Sequence, residues 1–293
     1  MNFIRKLKYS LMLPFTLAYS IPALSDNCND ISPSYSRIIA KNINDSKLCI
    51  VYIADVHKPA IMDRDRLKEI MEMNPKIKEK DALVKDIQKE VYLTLEDLIL
   101  NHDLQALGLE GSDSSHDIKK EDISDKSAYF KDNRIDRAVL DRLIQGMLET
   151  DDVSSAGQFA ELFYHDRITT FGVEDMVLFQ KQLEKFNDFM KIYDRIIKDS
   201  SYPIKDAESD IDKAEKDSES INAERSFAAI NKLVAKMEAD KLSNGALLMG
   251  GMHKDSVIDA FDRAISKGKR LSYIVLEPNT AKRFDEIKIE QAF

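Results

Sequence analysis

Four apolar segments of the sequence are each followed by a carboxylate or a histidine, the side chains that bind divalent metals and transfer protons. The polar residues concerned are Asp55 and His57, Glu110, Glu174, and His253. Imidazole together with carboxylate is the ligand set of zinc, manganese, iron and cobalt sites. The same groups can instead serve as general acid and base. Their types therefore indicate a metal centre, an acid–base site, or both.

The segments that precede these residues predict buried strands. Runs of Val, Ile, Leu and Tyr that do not alternate with polar residues are typical of strands covered on both faces. Five such runs occur, at 48–54, 105–110, 168–174, 245–250 and 271–277. Helical spacing of apolar residues marks the segments between them, at 80–101, 134–148 and 155–164.

This alternation predicts an α/β fold with a central, mostly parallel sheet flanked by helices. In open sheets of this kind, ligands bind at the carboxyl ends of the strands. The residues at the four strand ends should therefore meet at one edge of the sheet.

Residues 176–242 are rich in charge and carry almost no strand signal. Apolar residues from Phe179 to Tyr193 predict one helix, and 221–242 predicts a second. The acidic stretch 198–220 is expected to form a mobile tip between them, which makes the region a helical hairpin or cap. Residues 222–226 should open the second helix. Arg225 is then a candidate clamp for a carboxylate or a substrate oxygen, with an exposed pair to Glu224 as the alternative.

The first 25 residues predict a secretory signal peptide. Arg5, Lys6 and Lys8 precede an apolar stretch at 11–24, and small residues lead to a cleavage site after Ser25. The alternative is an uncleaved N-terminal anchor. We predict that residues 26–293 form a single α/β domain, secreted or periplasmic, with no stable membrane span after cleavage.

The charge and cysteine content of the chain bear on its binding partners and on its compartment. The net charge is −9, and removal of the cationic signal makes the mature chain more acidic still. Such a chain has no basic footprint for nucleic acid. Cys28 and Cys49 could form a disulfide in an oxidising compartment, or Cys49 could be a buried free thiol.

The motifs resemble a superfamily that contains the Tiki proteases, the pheromone-shutdown proteins, the erythromycin esterase-like enzymes and haem-binding lipoproteins of the ChaN type. Residues 250–253 (Gly-Gly-Met-His) match its late G-x-x-H motif, and Glu110 and Glu174 match its strand-end glutamates. Glu224-Arg225 matches two residues of its E-R-N motif, with Ser226 in third place. The first motif departs from the pattern, since residues 54–57 read Ala-Asp-Val-His.

The resemblance implies a metal-dependent hydrolase of peptide or ester bonds, acting on a peptide or small-molecule substrate. His57, His253 and Asp55 would bind Mn, Co, Zn or Fe. Glu110 or Glu174 would be the general base, and Arg225 would steady a carboxylate or an oxyanion. Two alternatives stay open: a periplasmic protein that binds haem or a metal, and an exported interaction protein that has lost catalysis.

Overall fold

The computed structural model describes residues 28–56, 75–111, 138, 139, 142, 155–198 and 204–287. Within them the chain is α/β, with one six-stranded, mostly parallel sheet flanked by helices, as the sequence predicts. The predicted signal peptide and His57 lie outside the described residues, as does most of the predicted helix at 134–148.

The strands are β1 (Ser36–Asn42), β2 (Cys49–Asp55), β3 (Ala106–Leu109), β4 (Thr169–Gly172), β5 (Asn244–Gly250) and β6 (Ser272–Pro278). Their order across the sheet is β1-β6-β2-β5-β3-β4, and only β1 runs antiparallel to its neighbour. All seven residues of β2 and of β6 are buried. The continuous apolar runs of the sequence arise because helices cover both faces of these strands.

Strand β1 is an addition to the five strands that the sequence predicts. It pairs with β6 at the edge of the sheet, and most of its residues are half-buried or exposed. An edge strand of this kind carries polar residues such as Arg37 and Lys41, so it lacks the continuous apolar signal.

The helices are α1 (Pro75–Asn101), α2 (Ser155–Tyr164), α3 (Met176–Lys198), α4 (Ile204–Asp240), α5 (Lys254–Ser266) and α6 (Ala281–Glu286). Helices α1 and α2 contribute to the core on one face of the sheet, with Val51, Ile53 and Leu248. Helices α4 and α5 contribute to the core on the other face, with Tyr52 and Leu247. In the part of the chain that the structure describes, no helix is long and apolar enough to span a membrane.

Helices α3 and α4 form the predicted hairpin, but two details of the prediction are wrong. Helix α4 begins at Ile204, so residues 204–220 are helical and not part of a tip. Residues 222–226 lie inside this helix instead of opening it. The charge-rich first half of α4 lies against α3, with contacts such as Lys185 Nζ to Asp217 Oδ2 at 2.8 Å and Gln182 Nε2 to Ser218 Oγ at 2.7 Å.

The second half of α4 packs on the sheet. Its buried positions recur every three or four residues: Asn222, Arg225, Ser226, Ala229, Ile230, Leu233, Val234 and Met237. A close approach to β5 at Gly245 supports this packing, since a Cβ there would lie 2.5 Å from the Met237 sulfur. The same stripe that buries apolar residues against the sheet therefore also carries Arg225 inward.

Cys28 and Cys49 form a disulfide, which settles the alternative that the sequence leaves open. The bond ties the segment before β1 to the first residue of β2, across 21 residues of sequence. Both cysteines are buried in the core that α1 covers.

We expect the double variant Cys28→Ser, Cys49→Ser to be less stable than the wild type by about 3 kcal/mol, because the open loop gains entropy in the unfolded chain. Urea unfolding of both proteins, with and without a reductant, measures this difference. The reductant should lower the stability of the wild type and leave the variant unchanged. Equal unfolding free energies in all four conditions would contradict the prediction.

Candidate functional site

The sheet topology brings the carboxyl ends of β5, β3 and β4 side by side. Leu109 is paired with Leu248 on one side and with Gly172 on the other. Glu110 and Glu174 follow β3 and β4, and His253 follows β5 on a short 3-10 turn at Gly251–His253. The predicted convergence at one sheet edge is thus found for these three residues.

Arg225 lies between the two glutamates. Its Nε donates to Glu174 Oε1 at 3.0 Å, and its Nη2 donates to Glu174 Oε2 and to Glu110 Oε1, both at 2.8 Å. Arg225 and Glu174 are almost fully buried, at 5% and 2% exposure, so the exposed pairing with Glu224 is not what the structure contains. Burial alone would lower the pKa of Arg225. The hydrogen bonds and charges of Glu174 and Glu110 outweigh this effect, so the pKa of Arg225 lies above its usual value.

The remaining contacts distinguish the two glutamates. Both oxygens of Glu174 accept from Arg225, and its main-chain carbonyl accepts from Lys232. Glu110 Oε2 accepts from the Gly250 amide at 2.6 Å, while its Oε1 lies 3.3 Å from His253 Nε2. Glu174 is therefore bound to the guanidinium, whereas Glu110 also faces an imidazole nitrogen.

His253 is 4% exposed, and its two ring nitrogens face different partners. Nε2 faces Glu110, and Nδ1 lies 3.0 Å from the hydroxyl of Ser226 on α4. Ser226 Oγ also lies 2.7 Å from Ser256 Oγ, and the Ser256 hydroxyl donates to the His253 carbonyl at 2.9 Å. The imidazole is therefore fixed from both sides.

Tyr52 supports the main chain next to this cluster. Its side chain is fully buried, and its hydroxyl donates to the Gly250 carbonyl at 3.0 Å. Burial, reinforced by the charges of Glu110 and Asp55, raises the pKa of Tyr52 well above its usual value. The phenol therefore stays neutral and keeps this hydrogen bond, which holds the turn that carries His253.

Asp55 contacts a different region. Its carboxylate accepts a hydrogen bond from Gln88 of α1, and the same amide nitrogen donates to the Val56 carbonyl at 2.8 Å. Gln88 Oε1 accepts from the Ala156 amide at 3.1 Å, so one buried glutamine links β2, α1 and α2. The sequence groups Asp55 with the other ligands because it ends a strand, whereas the alternation of side chains turns it towards α1.

Glu277 is a further carboxylate at this sheet edge, at the end of β6. It is buried and forms ion pairs with Arg37 of β1 and with Lys254, at 2.9 Å from the Lys254 Nζ. Burial raises the pKa of Glu277, but the hydrogen bonds and charges of Lys254 and Arg37 outweigh it, so that pKa lies below its usual value. This cluster joins the edge strand to α5 and explains the burial of Glu277 without a ligand.

The geometry can be tested for its fit to a divalent metal. Metal-binding histidines usually hold their second ring nitrogen in a hydrogen bond, as His253 does through Ser226. Among the described residues, however, no group of three His, Cys, Asp or Glu side chains could hold a metal ion. A cation at His253 therefore requires a ligand from elsewhere in the chain, and His57 is the residue that the sequence predicts.

Three residues of this cluster are not among the sequence predictions: Ser226, Ser256 and Tyr52. Ser226 carries a signal in retrospect, because it falls on the stripe of α4 that continues as Ala229, Ile230 and Leu233. A polar residue on a buried stripe needs a partner. The other two residues resemble ordinary core or helix residues in the sequence.

Comparison with known proteins gives no relative for this arrangement: no family model matches the chain, and neither the curated proteins nor the solved structures provide a match.

Proposed function

We propose that this chain is an exported hydrolase of peptide or ester bonds whose reacting centre is formed by Glu110 and His253. The observation that carries the proposal is the approach of Glu110 Oε1 to His253 Nε2, at 3.3 Å, beside a buried arginine. A carboxylate and an imidazole held in contact are the groups that enzymes use to remove a proton from an attacking water. The likeness of the motifs to the Tiki and erythromycin esterase-like proteins supports the same chemistry.

The contacts suggest a role for each residue. Glu110 accepts the proton of the attacking water, and the Gly250 amide fixes its other oxygen. Arg225 is a positioning residue that keeps the Glu110 carboxylate aimed at the imidazole. Glu174 is a second positioning residue, since both of its oxygens hold the guanidinium. Asp55 is left out of the reacting centre because its carboxylate contacts Gln88.

A divalent cation would be the cofactor of this proposal, although the described residues alone do not form a complete ligand set for it. His253 would hold it through Nε2, and His57, outside the described residues, would be the next ligand. The cation would lower the pKa of a bound water towards neutrality and polarise the substrate carbonyl. The buried disulfide supports the exported location, since disulfides persist mainly in oxidising compartments.

The function is tested by incubating the mature protein with a mixed peptide library and a panel of simple esters, with Mn²⁺, Co²⁺ or Zn²⁺ present. Mass spectrometry should detect cleavage products with the wild type and none with His253→Asn. Asn keeps a polar side chain, but it is shorter than His and has no ring nitrogen that could bind a metal ion or transfer a proton. His165→Asn is the matched control, because His165 contacts Asp166 in a turn away from the cluster. Products formed equally by all three proteins, or by none, would overturn the proposal.

A further inference from the structure

The part of the chain that the structure describes exposes few large apolar side chains, and most of them lie at one edge of the sheet. They are Ile38, Leu100, Met176, Val177 and Met252. Three of these five, Met176, Val177 and Met252, follow the carboxyl ends of β4 and β5, at the edge that carries the proposed reacting centre. We call these three residues the apolar rim.

Met252 forms one side of the apolar rim. It is 86% exposed and lies on the 3-10 turn directly before His253, which is buried. The turn therefore carries the imidazole inward and leaves the thioether in solvent. A single exposed methionine needs no explanation in a folded protein, but this one adjoins a candidate site and has exposed apolar neighbours across it.

The first turn of α3 forms the other side of the apolar rim. Val177 is 67% exposed, and Met176 is exposed beside it. Asp175 caps this turn, since its Oδ1 accepts from the Val177 amide at 3.0 Å. Phe179 of the same turn places its ring 5.3 Å from the guanidinium carbon of Arg225. The turn is therefore held next to the arginine that binds both glutamates.

The two sides of the apolar rim flank Glu110. Strand β3, which Glu110 follows, lies between β5 and β4 in the sheet. Neighbouring strands are about 4.8 Å apart, so the ends of β5 and β4 are separated by roughly 10 Å. That separation suits one amino-acid side chain or a short acyl chain, with its carbonyl group over Glu110.

We propose that the apolar rim binds an aliphatic or aromatic group of the substrate next to the bond that is cleaved. The inference rests on the proposed function and adds to it a substrate class, that of neutral, apolar substrates. Such a group is either the side chain of a peptide residue or the acyl chain of an ester. The net charge of −9 disfavours an anionic group. Methionine is flexible and polarisable, so the rim should accept apolar groups of several shapes.

Binding is tested without turnover, by carbon-13 NMR of the methionine methyl groups. The chain has 11 methionines, and the signals that disappear in Met252→Gln and in Met176→Gln identify these two. N-acetyl-leucine amide represents a peptide side chain, and hexanamide represents an acyl chain. We expect at least one of them to shift both signals, and the more effective probe identifies the source of the group. N-acetyl-glycine amide should leave both signals in place, and the buried Met237 should respond to no probe.

Selectivity is tested by comparing kcat/KM for a hexanoyl ester and an acetyl ester of the same alcohol. The wild type should prefer the hexanoyl ester by about 10-fold. The double variant Met252→Gln, Val177→Thr replaces apolar groups by polar groups of similar size and should lose most of this preference. Leu100→Gln is the matched control and should keep it, because Leu100 is exposed near the end of α1, which leads into the amino end of β3.

Methyl signals of Met252 and Met176 that do not respond to either apolar probe, or that respond equally to the glycine probe, overturn the inference. A folded double variant with the wild-type ratio of hexanoyl to acetyl turnover overturns it as well. A protein that cleaves no peptide or ester but shows the predicted methyl shifts contradicts the proposed function and leaves the apolar rim standing as a binding surface.

Discussion

Replacing Arg225 by Met should destabilise the protein by about 3 to 5 kcal/mol, since it removes the cation between two carboxylates and leaves their charge uncompensated. Arg225 is 5% exposed and makes three hydrogen bonds to Glu110 and Glu174. Methionine has a similar length and keeps the contact with Phe179, whose ring lies 5.3 Å from the guanidinium carbon. The loss should therefore reflect the charge and not a cavity.

Urea unfolding at neutral pH measures this loss, with the disulfide intact. The double variant Arg225→Met, Glu174→Leu should recover part of the stability, because it also removes one of the two carboxylate charges that have lost their cation. Lys185→Met is the matched control within the same helical hairpin, since the Lys185–Asp217 pair is solvent-exposed and such pairs contribute little. An Arg225→Met protein as stable as Lys185→Met would show that the buried pairs do not hold the sheet edge together.

The second large effect should separate Glu110 from Glu174. Glu110→Gln should lower kcat by about 100- to 10,000-fold, because an amide cannot take up the proton of the attacking water. Glu174→Gln should lower kcat much less and stability more, since among the described residues the side chain of Glu174 contacts Arg225 and the Gly111 amide and not the imidazole. The two substitutions are chemically identical, so each is the control for the other.

Kinetics with the substrate found in the library, together with urea unfolding, gives both quantities for both variants. Equal losses of kcat would mean that the two carboxylates act as one structural unit. Full turnover by a folded Glu110→Gln protein would remove Glu110 from the chemistry altogether.

The sheet and the edge that carries the candidate site follow from local signals in the sequence. Buried parallel strands need unbroken apolar runs, and Glu110, Glu174 and His253 each stand just past such a run. Neighbouring parallel strands have their carboxyl ends at the same edge of the sheet, so the residues that follow them must lie near one another. This is why a sequence without a recognised family model still predicts which residues meet.

Other features depend on partners that a linear sequence does not show. The start of α4 has a sparse apolar stripe, formed by Ile204, Ala207, Ile211 and Ala214, among many charged residues, and it lies against α3 with contacts such as Gln182–Ser218. Strand β1 is polar because it lies at an edge. The side chain of Asp55 ends its strand like Glu110 does, but strand alternation directs it to Gln88.

The pairing of Arg225 with both glutamates also depends on the tertiary structure. A single arginine in a charged helix is more often exposed, and only the buried stripe from Asn222 to Met237 shows that this one faces the sheet. The stripe is visible in the sequence once the helix is known to extend back to Ile204. The sequence analysis names Arg225 as a candidate clamp, but the error in the start of the helix concealed the stripe that also brings Ser226 to the site.

The central claim, a metal-dependent hydrolytic centre at Glu110 and His253, is tested most directly by diffraction from crystals grown with Co²⁺, recorded at the cobalt absorption edge. We expect an anomalous peak within bonding distance of His253 Nε2, the atom that would hold the cation. The peak should be missing in crystals of His253→Asn. No peak at His253 in the wild type, or an unchanged peak in the variant, would contradict the account.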